Sequence, residues 1–204
     1  MQGILQTWMD DGYKYSEFEF EKTSWRLFSG TGGAISMKVD SGYMITPSGI
    51  LKESTTEDDI FTLDIDGNVL ESPISRQKLK FSSCFPNFQH IYRLRPDTEA
   101  IYHTHSPLAV VASLLASDKN QFSCSNLQMV KAMRGHKWTD TVNIPIIGNK
   151  DTEDAIAVDL EKAVRDNPNV DAVLIRGHGL YVWAPSWEAA KVTILKPNRN
   201  SQDS

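Results

Sequence analysis

The 204-residue sequence predicts an α/β fold, a mixed β-sheet covered by helices on its faces. Three observations support this prediction. Short apolar runs of strand length, such as residues 172–175, recur along the chain. Segments with helical features, such as residues 152–167, stand between these runs. Glycine-containing turns such as residues 40–42 join some strands as hairpins, whereas helices join other strands as crossovers.

Turns and capping residues set the expected order of elements. Ser106-Pro107 is typical of a helix start, because serine can cap the first turn and proline is tolerated at its first position. Thr152 or Asp151 is the expected cap of the helix that follows. The predicted strands are residues 34–39, 43–46, 60–65, 69–70, 100–105, 142–147, 172–175 and 180–183, and the predicted helices are residues 85–94, 106–115, 127–133, 152–167 and one that begins at Ser186.

Composition and charge exclude several classes of protein. With 40% hydrophobic and 23% charged residues, the chain has a globular composition and the length of one domain. A net charge of −5 gives no indication of a nucleic-acid or anionic membrane partner. No apolar run is long enough to cross a bilayer, and the first residues lack the pattern of a signal peptide. Two cysteines do not make a disulfide framework, so we expect a reducing, cytoplasmic location.

His103-Thr104-His105, together with His178 in the segment Arg176-Gly177-His178-Gly179, is the most informative pattern. Residues two apart on an extended strand point to the same face. The third histidine, on a short glycine-flanked segment, can close a set of three. Three neutral imidazoles with an open fourth position are the arrangement of a catalytic zinc site. An open position lets a metal ion act on a substrate oxygen as a Lewis acid.

The histidines also have interpretations that involve no metal. An isolated His-x-His on an apolar strand is often a hydrogen-bonded pair without a metal. The glycines beside His178 favour a site, because they allow close approach of the backbone. His90 and His136 lack such neighbours and are interpreted as ordinary polar residues. Arg176 either fixes the end of a strand or faces an anion.

Two loops and one cysteine are weaker candidates. Residues 30–33 and Ser48-Gly49 could supply backbone N–H groups to a phosphate, although glycine-rich turns are more often only turns. Neither loop has the spacing of a P-loop or of a dinucleotide-binding fingerprint. Cys84 is isolated and is expected to be buried and unreactive. No nucleophile-elbow motif supports a serine or cysteine relay.

These motifs resemble the class II aldolase/adducin superfamily of zinc enzymes and, within it, the methylthioribulose-1-phosphate dehydratases most closely. The resemblance covers residues 25–191, as the central domain between a divergent N-terminal segment, residues 1–24, and a short divergent tail, residues 192–204. The stretches that carry the resemblance are residues 30–36, 47–53, 83–86, 103–106, 176–183 and 187–191.

The resemblance implies a three-layer α/β/α sandwich with a mixed, largely antiparallel central sheet, assembled as a homotetramer with one zinc ion per subunit. The implied zinc ligands are His103, His105 and His178. Cys84 is implied to lie against the substrate, and the loops that contain Gly32, Gly33, Ser48 and Gly49 are implied to hold a phosphate. The implied partner is a small-molecule sugar phosphate.

The resemblance also implies a reaction. Such enzymes dehydrate 5-methylthioribulose 1-phosphate to 2,3-diketo-5-methylthiopentyl 1-phosphate in methionine salvage. Zinc would polarise the ketose carbonyl, and loss of the hydroxyl as water requires a general acid. Gln128 stands at the position of the family's acid/base glutamate, and an amide cannot accept and return a proton near neutral pH. Activity is therefore expected to be impaired, by this change and by the shortened ends, unless another residue replaces the glutamate.

Two further functions stay open. A non-catalytic, adducin-like scaffold is favoured by Gln128 and by the short tail, whereas the retained histidines oppose it. A class II sugar-phosphate aldolase or epimerase could use the same zinc ion.

Overall fold

A nine-stranded mixed sheet forms the centre of the part of the chain that the structure describes, residues 30–74, 78–116, 119–133 and 135–195 of a computed structural model. Every neighbouring pair of strands is antiparallel except one, β7 and β8. The strand order is β4-β3-β2-β1-β5-β9-β8-β7-β6. The strands are β1 (Ala34–Val39), β2 (Gly42–Ile45), β3 (Phe61–Leu63), β4 (Val69–Glu71), β5 (Ala100–Thr104), β6 (Gln121–Cys124), β7 (Val142–Ile147), β8 (Ala172–Ile175) and β9 (Gly179–Ala184).

Four α-helices cover the two faces of this sheet in the described ranges. They are α1 (Phe85–Leu94), α2 (Pro107–Leu115), α3 (Glu153–Asp166) and α4 (Trp187–Leu195). Helix α2 begins at Pro107, and Thr152 caps the start of α3, as the sequence predicts. The Thr152 side chain accepts a hydrogen bond from the Ala155 N–H at 3.3 Å. Short 3₁₀ turns lie at Lys52–Ser54, Glu57–Asp59 and Gln128–Ala132.

Two apolar cores, one on each face, confirm the three-layer α/β/α fold. Helices α1 and α3 pack against each other and against one face, where Phe88 and Leu160 are fully buried. Helices α2 and α4 cover the other face through residues such as Ala109 and Ala190. Because side chains alternate across a strand, β5 serves both cores, with Ile101 on the first side and Tyr102 on the second.

The strand order brings several strand ends to the same edge of the sheet. β7 and β8 are parallel, so their carboxyl ends lie side by side. β5 is antiparallel to β9 and ends where β9 begins, at the pair Thr104 and Leu180. The segments that follow β5, β7 and β8 therefore meet at this edge, which is where polar side chains can gather.

Two elements differ from the sequence prediction. The helix predicted at residues 127–133 is a 3₁₀ turn, Gln128–Ala132, which follows Asn126 in a left-handed conformation with φ of 56°. β6 is a strand that the sequence pattern does not predict, because it lies at the sheet edge and is polar and half exposed. Edge strands of this kind lack the apolar run from which a buried strand is predicted.

The predicted ends of the chain are described only in part. Residues 1–24 lie outside the described residues. Of the predicted tail, residues 192–195 continue α4 as far as Leu195, two residues before Pro197. None of the described helices has the length and apolar character that crossing a bilayer requires.

Candidate metal centre

Three histidine side chains converge at the sheet edge where β5 ends. His103 lies on β5, His105 follows that strand directly, and His178 lies in the turn between β8 and β9. Nε2 of His105 lies 3.1 Å from Nε2 of His103 and 2.9 Å from Nε2 of His178. The structure thus brings together all three histidines that the sequence pattern predicted as ligands.

The chemistry of these donors fits a zinc ion. In a tetrahedral site with Zn–N bonds of about 2.0–2.1 Å, ligand nitrogens lie about 3.4 Å apart, close to the separations found here. Nδ1 of His103 lies 3.3 Å from the carbonyl oxygen of Leu180, and Nδ1 of His178 lies 3.0 Å from Oδ1 of Asn149. Both oxygens accept hydrogen bonds, so each Nδ1 carries the hydrogen. Nε2 therefore keeps its lone pair for a metal ion.

Burial keeps two of the three imidazoles neutral. It lowers the pKa of His103 well below the ordinary value, and the nearby His105 and His178 lower it further. Burial likewise lowers the pKa of His105 to about 4, with additional effects of His178 and the Lys52 ammonium. Since neutral imidazole is the form that binds a metal, these side chains are in the binding form near neutral pH.

Two glycines allow the backbone to approach the histidines closely. A Cβ atom at Gly32 would lie 2.4 Å from Nδ1 of His105, so the imidazole ring packs directly against the glycine. A Cβ atom at Gly179 would lie 2.1 Å from the backbone oxygen of Thr104, next to His105. A Cβ atom at either position would therefore force a neighbour to move, the His105 ring at Gly32 and the backbone at Gly179.

Replacing Gly32 by alanine is expected to displace the His105 ring and to weaken metal binding by about tenfold to a hundredfold, the usual effect of disturbing the orientation of a ligand. Isothermal titration with zinc measures this change. The matched control is Gly148→Ala, because a Cβ atom there meets no other atom within 4 Å. Equal zinc affinity of the Gly32→Ala variant and the control would show that the contact does not orient His105.

Lys52 joins the two loops that were predicted to contact a phosphate. Its side chain is buried, and Nζ donates hydrogen bonds to the carbonyl oxygens of Pro47 at 2.9 Å, Thr31 at 3.2 Å and Ile50 at 3.4 Å. Thr31 belongs to the loop 30–33, and the other two acceptors flank Ser48-Gly49. Since Gly32 lies against His105, the loop 30–33 lies next to the histidines, and Lys52 links the second loop to it.

The loop residues differ in what they can offer to an anion. The Ser48 N–H already donates a hydrogen bond to the Lys80 carbonyl oxygen at 2.8 Å. The exposed side-chain hydroxyl is therefore the donor that Ser48 can offer to an anion. Gly33 and Gly49 have φ of 81° and 75°, a conformation that side chains with a Cβ rarely adopt. Phosphate contact by Gly32, Gly33, Ser48 and Gly49 stays a prediction.

Cys84 is buried at the start of α1, as expected, and has no disulfide partner. Its Sγ atom lies within 4.8 Å of ligand atoms of His103 and Glu153. Burial, followed by the charge of Glu153, raises the pKa of the thiol to about 12. A thiol that stays protonated is a weak nucleophile, in agreement with the expected unreactive cysteine.

Glu153, which no sequence pattern singled out, lies next to the histidines. Its Oε1 atom lies 3.8 Å from Nε2 of His103 and 3.8 Å from Nε2 of His178. Glu153 follows β7 as His178 follows β8, and the two strands are parallel. The sequence signals Glu153 only as an acidic residue in the first turn of a helix that follows a buried strand. This signal points to the site only once the strand order is known.

Two other polar candidates have different surroundings. Gln128 is exposed at the start of its 3₁₀ turn, and this turn packs against α4 on the opposite face of the sheet from α3. The Arg176 guanidinium donates to the backbone oxygens of Ser113 at 3.0 Å and Lys119 at 2.9 Å. Arg176 therefore fixes the end of β8 to the segment around the end of α2, in agreement with the first of its two predicted roles.

A cavity of about 580 Å³ opens beside the histidines. It is lined mainly by the segment between β7 and α3 and by the turn after β8. The lining residues are Ser83, His105, Asn149, Lys150, Asp151, Thr152, Glu153, Asp154, Gly177 and His178. The cavity is polar and large enough for a small sugar phosphate.

Two similar proteins carry the same name. The chain is 38% identical over 175 residues to the "Probable methylthioribulose-1-phosphate dehydratase" of Trichoplax adhaerens, covering 83% of this chain and 73% of that protein. It is 40% identical over 169 residues to the protein of the same name from Drosophila pseudoobscura pseudoobscura, covering 80% and 73%.

Two solved structures share the fold of this chain, and one family matches most of its length. An L-fuculose-1-phosphate aldolase from Thermus thermophilus has a TM-score of 0.60 at 22% identity, covering 85% of this chain and 78% of that chain, and shows the shared fold. Another L-fuculose 1-phosphate aldolase has a TM-score of 0.65 at 25% identity, covering 97% and 82%. Residues 22–196 match the family described as "Class II Aldolase and Adducin N-terminal domain". This protein belongs to the class II aldolase and adducin family.

Proposed function

We propose that this protein is a zinc-dependent dehydratase that converts 5-methylthioribulose 1-phosphate to 2,3-diketo-5-methylthiopentyl 1-phosphate. The observation that carries the proposal is the convergence of three histidine Nε2 atoms beside a polar cavity. The relatives' shared name supplies the substrate. In this role the protein would act in methionine salvage, as a cytoplasmic homo-oligomer, with a tetramer as the proposed assembly.

His103, His105 and His178 would hold the zinc ion through Nε2. When bound, zinc supplies Lewis-acid polarisation of the ketose carbonyl, which makes the neighbouring C–H bond more acidic. The carbonyl of Leu180 and the side chain of Asn149 orient the imidazoles of His103 and His178 through their Nδ1 atoms. The loops joined by Lys52 would face the phosphate of the substrate, and Cys84 would keep the wall beside His103 free of charge.

The geometry favours an enzyme over a scaffold. A scaffold needs no convergent lone pairs, and three imidazoles packed this closely gain little unless a cation lies between them. Burial also favours their neutral, metal-binding form. These contacts support the dehydratase proposal over a purely structural role for the histidines.

A substrate panel tests the proposal. Zinc-loaded protein is incubated separately with 5-methylthioribulose 1-phosphate, L-fuculose 1-phosphate and a ketopentose 5-phosphate, and the products are identified by mass spectrometry. We expect a product lighter by one water from the first compound alone. Cleavage of the second into two three-carbon fragments would assign an aldolase, and an isomer of the third would assign an epimerase. No product from any compound would favour the scaffold.

A further inference from the structure

We infer that Glu153 is the catalytic residue that transfers protons in the dehydration, in place of the glutamate that is absent at position 128. This inference rests on the proposed function and names the residue that completes its chemistry. Dehydration of a ketose requires a group that removes a proton from carbon and later protonates a departing hydroxyl. A carboxyl group can serve both steps, whereas the amide of Gln128 cannot.

One oxygen of Glu153 is anchored. Oε2 accepts hydrogen bonds from the side-chain amide of Asn87 at 2.8 Å and from the hydroxyl of Tyr181 at 2.8 Å. Asn87 is fully buried, and burial raises the pKa of Tyr181 well above its ordinary value, so the tyrosine keeps its hydrogen for the carboxylate. The Tyr181 ring also stacks on His103, with centroids 4.2 Å apart. This network fixes the carboxylate relative to the histidines.

The other oxygen points towards the position where chemistry would occur. Oε1 lies 3.8 Å from Nε2 of both His103 and His178, and Glu153 lines the cavity together with His105 and His178. A substrate held at the open side of the histidines would lie within hydrogen-bonding reach of Oε1. Among the described residues, the groups of His, Cys, Asp and Glu that lie close enough to share a metal ion contain no carboxylate other than Glu153.

Other residues near the site are less suited to this role. Asp151 and Asp154 also line the cavity, but both are exposed to solvent, where a carboxyl group is not fixed. The raised pKa of Cys84 makes its thiol a poor proton acceptor. Gln128 lies on the turn that packs against α4, on the other face of the sheet from α3.

The proposed proton transfers balance over the reaction. Oε1 of Glu153 accepts the proton from C3 of the ketose, and the C–H electron pair is taken up between C2 and C3 as the C2 carbonyl becomes an enolate. The C2 carbonyl then re-forms, a C3–C4 double bond forms, and the C4–O bond breaks. Glu153 returns its proton to the departing hydroxyl, which leaves as water. The C3 enol finally moves its hydroxyl proton to C4, which gives the 2,3-diketone.

Glu153→Gln in the zinc-loaded protein tests this inference. The variant keeps the size and the hydrogen-bond acceptor of the side chain but removes its proton transfer. We expect kcat to fall by about 10²–10⁴-fold, with KM changed by less than about threefold, since only steps after binding are lost. Zinc affinity, measured by isothermal titration, is expected to stay within about threefold. Glu161→Gln, the same change on α3 in surface ion pairs with Arg93 and Arg165, is the control and should keep its activity.

Several outcomes would overturn the inference. Turnover by Glu153→Gln at the wild-type rate would exclude proton transfer by this residue. Loss of zinc from the variant would assign Glu153 as a metal ligand instead. Glu153→Asp separates chemistry from folding, because a shortened carboxylate should recover part of kcat, and equal inactivity of both variants would indicate a structural role. If wild-type protein itself fails to dehydrate the ketose, the proposed function fails, whatever the variants show.

Discussion

Replacing His105 by alanine is expected to lower zinc affinity by about a hundredfold and to remove detectable dehydration. Structural zinc sites gain about 10–16 kcal/mol from four ligands, which corresponds to about 3 kcal/mol for each. A loss of that size is about a hundredfold in affinity. His105 is the informative choice, because its Nε2 lies within 3.1 Å of both other ligand nitrogens and its ring is only half-buried. Its removal should therefore disturb the fold less than removal of the fully buried His103.

Zinc titration of the apo variant measures the affinity, formation of the diketone measures the dehydration, and circular dichroism checks that the variant is folded. His136→Ala is the matched control. The His136 ring lies near Asp140 and the Asn169 carbonyl, and His136 belongs to none of the groups in the described residues that could hold a metal ion. The control should bind zinc as the wild type does. Unchanged zinc affinity in His105→Ala would mean that the three imidazoles do not share an ion.

Replacing Lys52 by methionine is expected to lower the free energy of unfolding by about 3 kcal/mol. Methionine has a similar length but no hydrogen-bond donor, so the carbonyl oxygens of Pro47, Thr31 and Ile50 lose a charged partner. A buried acceptor left without its partner costs about 1–3 kcal/mol, so about 1 kcal/mol for each of these carbonyl oxygens gives the expected loss. The loss should appear in urea unfolding of metal-free protein, where zinc cannot mask it.

Lys38→Met is the control for this change. Nζ of Lys38 donates to one carbonyl oxygen, that of Pro96 at 3.2 Å, in an exposed setting. We expect the control to change the free energy of unfolding by less than about 0.5 kcal/mol, as for most surface substitutions. Equal stability of the two variants would show that Lys52 does not hold the loops together.

Much of the fold could be predicted from local patterns. Apolar runs such as Ala172–Ile175 are buried on both sides of the sheet, and such runs predict strands. The caps Pro107 and Thr152 mark helix starts because their effects are local. The helix predicted at residues 127–133 is shorter and of the 3₁₀ type, Gln128–Ala132, because the packing of Val130 and its neighbours against α4 determines its form.

The candidate site was predictable only in part. The pair His103 and His105 follows from the alternation along a strand, and His178 from its glycine-flanked turn. Glu153 could not be predicted, because its position depends on the parallel pairing of β7 and β8, two strands separated by a helix. The anchoring of its carboxylate by Asn87 and Tyr181 joins three distant segments of the chain. Contacts of this kind leave no local pattern in the sequence.

The most direct test of the central proposal is the rate at which 5-methylthioribulose 1-phosphate loses water in the presence of wild-type protein, before and after removal of zinc by a chelator. We predict steady formation of the diketone by the zinc-loaded protein, loss of this activity on chelation, and its return when one equivalent of zinc per chain is added back. Equal rates with and without zinc, or no diketone from fully loaded protein, would contradict a zinc-dependent dehydratase built on His103, His105 and His178.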